Sequence, residues 1–238
     1  AELVGALRVL VKAEQEEDLL VILNDIFLGL IRERAEVPPA SLKRSALDNL
    51  LRQAIATACT ALETYLPQLL RHHLPEVIKL RGRDFVPKDK ETAEQFKNLT
   101  FDLNECVRIL TAPDPMFVAG KMISALNFSY LSGKRGVHVT AALLGIDSPW
   151  KRIATHLTRN EEELKKYLDD TVKRRNDIIH RADRDKDKPD DPPQEISFAW
   201  TLLAVSTVKC VCIGLDELVH AKLKELRDQS ARQQEGTA

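Results

Sequence analysis

The sequence predicts an all-α protein, and three observations carry that prediction. Ala, Leu, Glu, Lys and Arg dominate a chain of 238 residues that is 30% charged and only 5% aromatic, a balance that favours helices over sheets. Glycine, which helices disfavour, is scarce at 9 residues. Apolar residues recur at helical spacing between clear breaks. At 44% hydrophobic, the chain can build one buried core and does not require two domains.

The elements follow in order. Leu3 to Arg34 reads as one long helix or two, and Val37-Pro38-Pro39 ends it. Residues 1–37 are therefore read as an N-terminal helical extension, 38–228 as the main helical domain and 229–238 as a polar, fraying tail. Ser41 can cap a helix from Leu42 to about Leu66, where Pro67 should kink or break it. A further turn or two reaches Leu80, and a basic connector runs from Arg81 to Lys90. A helix then covers about Glu91 to Leu110, before the break Ala112-Pro113-Asp114-Pro115. Met116 to Tyr130 is the next helix, and Ser132-Gly133-Lys134-Arg135-Gly136 reads as a flexible basic turn. Val137 to Leu144 and Pro149 to Leu157 read as short helices. Asn160 caps a charged helix that extends to about Ala182. Asp183 to Pro193, with five Asp and three Pro, reads as a solvated loop. Ile196 to Leu226 is a long final helix, nearly continuously apolar from Phe198 to Leu218 and so expected at the centre.

Charge and cysteine usage narrow the function. A formal net charge of -1 gives no overall basic field, so any nucleic-acid contact has to come from local patches. Cys59, Cys106, Cys210 and Cys212 form no C-x-x-C pair and have no His at ligand spacing, which points to free thiols in a reducing cytoplasm and to no metal or cofactor. No secretory signal is read, and Leu19 to Ile31, interrupted by Asn24 and Asp25, is too short to span a bilayer, so no membrane association is expected. The chain begins with Ala rather than Met, as a processed product or a piece of a longer protein would. A Gly-rich phosphate loop after a strand, a G-x-S-x-G elbow and an H-E-x-x-H pair are all missing.

The densest chemistry lies in Arg175-Asn176-Asp177-Ile178-Ile179-His180, on the charged helix. At 100° per residue, Leu164, Tyr167, Leu168, Val172, Ile178 and Ile179 fall within one arc of roughly 140°, and Arg175 lies near its middle. A guanidinium cannot shed its charge, so facing inward it needs a carboxylate or several acceptors. Asn176 and His180, four apart, share one edge of the helix. Histidine ordinarily changes charge near neutral pH, so a fixed cation, an amide and an acid–base group adjoin one another over less than two turns. Spacing alone also fits solvated side chains, or an arginine whose stem covers apolar surface.

Two acids on the helix from Leu42 to Leu66 could answer Arg175. Asp48 lies inside the apolar arc of Leu47, Leu51, Ile55, Leu62 and Leu66, and Glu63 lies just beyond its edge. Either could also be a surface charge. Basic residues gather near the breaks: Arg81, Arg83, Lys88 and Lys90; Lys134 and Arg135 with His138; and Lys173, Arg174, Arg181 and Arg184 around His180. These could grip a phosphate backbone, although charge runs are more often solvated faces. Few aromatics lie near them, so recognition by base stacking is not expected.

The Arg175-Asn176-x-x-x-His180 pattern, with Tyr167 to Val172 before it and a charged loop and long apolar helix after it, resembles the HEPN superfamily. The likeness is nearest to the RiboL-PSP-HEPN group and runs from about Ser41 to Val219. It implies a HEPN-like helical bundle and a metal-independent endoribonuclease that needs no cofactor. In that family the RNA 2′-hydroxyl attacks the adjacent phosphate, leaving a 2′,3′-cyclic phosphate and a 5′-hydroxyl. The resemblance makes Arg175, Asn176 and His180 catalytic and favours Glu63 over Asp48 as the acidic member. It assigns RNA binding to the basic patches, places the site at the two-fold interface of a homodimer, and implies a toxin or anti-phage effector with an antitoxin or defence-system partner. Some members carry a Tyr two residues after the His; here that residue is Ala182, so control through such a Tyr is not expected. A second reading keeps the fold but makes it a non-catalytic module that binds nucleic acid or protein.

Overall fold

The computed structural model describes residues 44–82, 85, 90–126, 133–188 and 190–235. The expected N-terminal extension and the Ser41 cap lie outside them. Among the described residues the protein is all-helical, with no strand. The helices are α1 (Arg44–Arg81), α2 (Lys90–Gln95), α3 (Leu103–Thr111), α4 (Pro115–Ala125), α5 (Gly133–Leu143), α6 (Pro149–His156), α7 (Glu161–Arg181) and α8 (Phe198–Glu235). The described chain forms two compact units, one of residues 44–61 and 170–209, the other of residues 62–169 and 210–235.

Helix α1 does not stop at Leu66 as the sequence suggests but passes through Pro67 and Pro75. Each internal proline costs a helix roughly 3 kcal/mol. In the second unit Leu62, Leu66, Leu69, Leu70, Leu74 and Val77 are all at most 2% exposed. Full burial of each such side chain is worth about 1.5–3 kcal/mol, so the apolar stripe outweighs both breaks. On α8 of the same unit, Val211, Leu215, Val219, Leu223 and Leu226 repeat the helical period and are buried. Tyr65 Oη donates to the Cys212 carbonyl at 3.1 Å, and Arg227 grips Glu76 through two hydrogen bonds of 2.6 and 2.8 Å. Burial, with Asp216 nearby, pushes the Cys212 thiol up to about 12, so this sulfur stays protonated.

The expected helix from Glu91 to Leu110 is two helices, α2 and α3. The second starts at a capping box, in which the Asp102 carboxylate accepts the Glu105 N–H and the Glu105 carboxylate accepts the Asp102 N–H. Four of the residues expected in a flexible turn, Gly133, Lys134, Arg135 and Gly136, instead begin α5, which packs against α2 and α6. Gly214 on α8 lies where a Cβ would come within 3.0 Å of Ile153 on α6, so those helices meet at the backbone. The tail expected from Gln229 continues α8 to Glu235. By length and composition Phe198–Gln233 could cross a membrane, and 44% of its most apolar window is buried within the fold.

In the first unit, Leu51, Ala54, Ile55, Ala58 and Cys59 of α1 form the apolar core with Ala204, Val205 and Val208 of α8. The Cys59 sulfur approaches the Thr171 carbonyl of α7 at 4.0 Å. Cys59 is buried and Cys106, Cys210 and Cys212 are half-buried, all as free thiols.

Candidate functional site

Helix α7 carries the motif, and its ends follow from its charges. The Asn160 side-chain oxygen accepts the Glu163 N–H at 3.1 Å, and three glutamates, Glu161, Glu162 and Glu163, occupy the positive N-terminal turn. His180 and Arg181 occupy the C-terminal turn, where the helix dipole favours positive charge. Beyond them the backbone turns sharply through Ala182 at φ 51° and Asp183 at φ 63°, left-handed positions unusual for residues with a Cβ.

The inward face of α7 is narrower than the sequence arc. Leu164, Leu168 and Thr171 are at most 1% exposed, and Asp177 is buried, whereas Tyr167 and Ile179 are exposed. Arg175, at the centre of the expected stripe, is half-buried with its Nε shielded from solvent. Asn176, His180 and Lys173 are exposed, so the amide and the imidazole lie open on the helix surface.

The neighbouring arginine answers a buried carboxylate. Arg174 reaches the carboxylate of Asp183, which is wholly buried: its Nη2 donates to Oδ2 at 2.9 Å, and its Nε lies 2.6 Å from Oδ1, though off hydrogen-bond alignment. The same guanidinium donates to the Gln194 side-chain oxygen at 3.1 Å and to the Glu195 carbonyl at 3.0 Å, and it lies 5.7 Å from the centre of the Trp200 ring. Arg52 of α1 completes the clasp, donating from Nε to Asp183 Oδ2 at 2.6 Å and from Nη2 to the Gln194 carbonyl at 2.9 Å. Backbone bonds lock the loop as well: Asp183 N–H to the Asp177 carbonyl at 2.9 Å, and Gln194 N–H to the Asp183 carbonyl at 2.8 Å. The guanidinium of Arg174, expected on a phosphate, is thus committed to the protein's own acceptors.

The other expected residues fall as follows. Arg181 is exposed and pairs with Asp177 at 2.7 Å. Asp48 is half-buried on α1 in the first unit. Glu63, Lys134 and Arg135 belong to the second unit, where Glu63 and Arg135 are half-buried and Lys134 pairs with Asp169 at 2.6 Å. That carboxylate holds the Lys134 ammonium above its ordinary pKa.

His180, Arg181, Ala182, Arg184, Asp185 and Lys186 line an open depression of about 400 Å³. Sequence reasoning did not single out Lys186 and placed Asp183 in a solvated loop. Asp directly after a helix end is a readable signal for a left-handed turn. Its burial was not readable, because Arg52 lies 131 residues away. Among the described residues, no group of three or more His, Cys, Asp or Glu is placed to hold a metal ion. Comparison with family models, with curated proteins and with solved structures gives no match to this chain.

Proposed function

We propose that the protein is an endoribonuclease of HEPN type, with His180 as the acid–base group, Asn176 orienting the scissile phosphate and Arg175 steadying charge on its oxygens. The observation that carries this reading is the pairing of Asn176 and His180, both solvent-open on one edge of α7, with a depression lined by Arg181, Arg184 and Lys186. An exposed imidazole reaches a strand too large to enter a closed cavity, and adjacent cations attract its phosphates. The 2′-hydroxyl as nucleophile accounts for RNA over DNA without base reading. A homodimer that brings two such sites to one two-fold interface is part of this reading. A cytoplasmic toxin or anti-phage effector, held in check by a partner protein, fits an RNA-degrading activity.

The test is incubation of the purified protein with total RNA in EDTA, beside His180→Ala. Wild type should cleave and leave 2′,3′-cyclic phosphate ends. The variant should lose about 10²–10⁴-fold in rate while keeping its helical signal. Full activity in the variant, or a strict need for divalent metal, would reject this chemistry. The second reading, a non-catalytic module that binds nucleic acid or protein, is favoured by the formal net charge of -1 and by the 5% aromatic content. It predicts binding without cleavage.

A further inference from the structure

We propose that the loop directly after α7 is a subsite for the RNA nucleotide adjoining the cleaved bond, with Arg184 and Lys186 on its phosphate and the Arg52–Asp183–Arg174 clasp holding the loop in shape. This rests on the ribonuclease reading above and adds to it two phosphate-binding side chains and the clasp that supports them.

The depression beside His180 has a volume of about 400 Å³, within the range of pockets that hold small ligands or single residues of larger ones. Its charged lining is three cations and one acid, Asp185. Asp185 is already used within the loop, its Oδ1 accepting the Asp187 N–H at 2.9 Å. Arg181 is answered by Asp177. Arg184 and Lys186 are exposed and, among the described residues, form no ion pair, which leaves their charge for an incoming anion. No Phe, Tyr or Trp lines the depression, and its one ring, the His180 imidazole, is assigned to the acid–base step, so the remaining lining suits a phosphate rather than a stacked base.

The clasp makes this a built site rather than a loose charged loop. Two consecutive residues with side chains, Ala182 and Asp183, hold left-handed φ values, a conformation that a Cβ disfavours. Such a turn persists only where its surroundings fix it, and here a fully buried carboxylate is held by two guanidiniums while Gln194 closes the far end of the loop. The backbone that carries these cations is therefore fixed before RNA arrives, which lowers the ordering cost of binding. A strand is the expected ligand rather than a free nucleotide, because two cations without stacking bind a mononucleotide only weakly, whereas a strand brings neighbouring phosphates as well.

The test is fluorescence anisotropy with a short single-stranded RNA carrying 2′-O-methyl groups, which cannot attack the phosphate, across a salt series. Arg184→Ala with Lys186→Ala should weaken binding roughly tenfold or more and flatten the log–log salt slope by about 0.7 for each phosphate no longer neutralised. On cleavable RNA the same double variant should raise KM more than it lowers kcat. Asp183→Asn, with Arg184 and Lys186 intact, should weaken binding in the same direction. Should Asp183→Asn fail to fold, the double variant, which alters only exposed side chains, still decides the matter. Unchanged affinity and salt slope in the double variant would overturn the subsite, as would adenosine monophosphate binding as tightly as the strand. Cleavage that persists without dependence on Arg184 and Lys186 removes the subsite and leaves the nuclease. Binding that depends on them without any cleavage of unmodified RNA supports the subsite and removes the nuclease.

Discussion

Asp183 and Leu70 are both at 0% exposure, yet opposite physics holds them. Leu70 sits in a run of buried aliphatic side chains on α1, where attraction is non-directional and many neighbours share it. Asp183 is held by a few directional bonds from Arg52 and Arg174, at distances between 2.6 and 2.9 Å. An apolar run can carry two prolines and remain a helix, because no single neighbour decides it. A charged clasp tolerates little, since removing one member leaves the others buried and unanswered. The apolar stretch therefore supplies stability, and the clasp supplies one defined conformation at the end of the motif helix.

The largest effect should come from breaking the clasp. Asp183→Ala leaves two guanidiniums facing each other and should cost about 3–5 kcal/mol in chemical denaturation. Arg174→Met should then cost less in that background than in wild type, because its partner is already gone. A loss under about 1 kcal/mol for Asp183→Ala would show that the clasp does not hold the loop. Leu70→Ala should cost about 2–5 kcal/mol through lost burial and a cavity, and it should add to Asp183→Ala without coupling. Strong non-additivity between those two would undo the contrast.

A pH arm sharpens the comparison, since the apolar run does not titrate but His73 beside it does. Burial first, then His72 and His220, hold the His73 pKa below 6.5, while Asp216 and Glu76 oppose the shift. The unfolded chain binds this proton more readily than the folded one. The contribution is therefore fully present above about pH 6.5 and is lost as pH falls toward the lower folded value. Between pH 7 and pH 5 the fall in Tm should be smaller in His73→Gln than in wild type; equal falls would refute the assignment. The smallest effect should be Asn160→Ala, which removes the cap of α7 and should cost about 1 kcal/mol. Hydrogen exchange should localise that loss to the first turn.

The helices were legible because their signals are local. Asn160 before three glutamates marks the start of α7, and of the apolar arc read from the sequence Leu164 and Leu168 are buried whereas Tyr167 and Ile179 are exposed. Proline misled at Pro67, where its local cost was readable but the burial that outweighs it was not. The open edge of Asn176 and His180 was legible from their spacing. That Arg174 turns inward was not: a guanidinium on a long stem goes where acceptors are, and Asp183, Gln194 and Glu195 lie within reach of Arg174.

By itself the sequence determined that this protein is helical, where α7 begins and ends, and that Asn176 and His180 share an edge, because propensity, capping and periodicity act over a few residues. Only the tertiary structure decided that Asp183 is buried, that Arg52 and Arg174 meet on it, and that Arg184 and Lys186 line a depression with His180. Burial of a charge depends on which distant groups arrive to answer it, and Arg52 comes from 131 residues away, beyond the reach of any local rule.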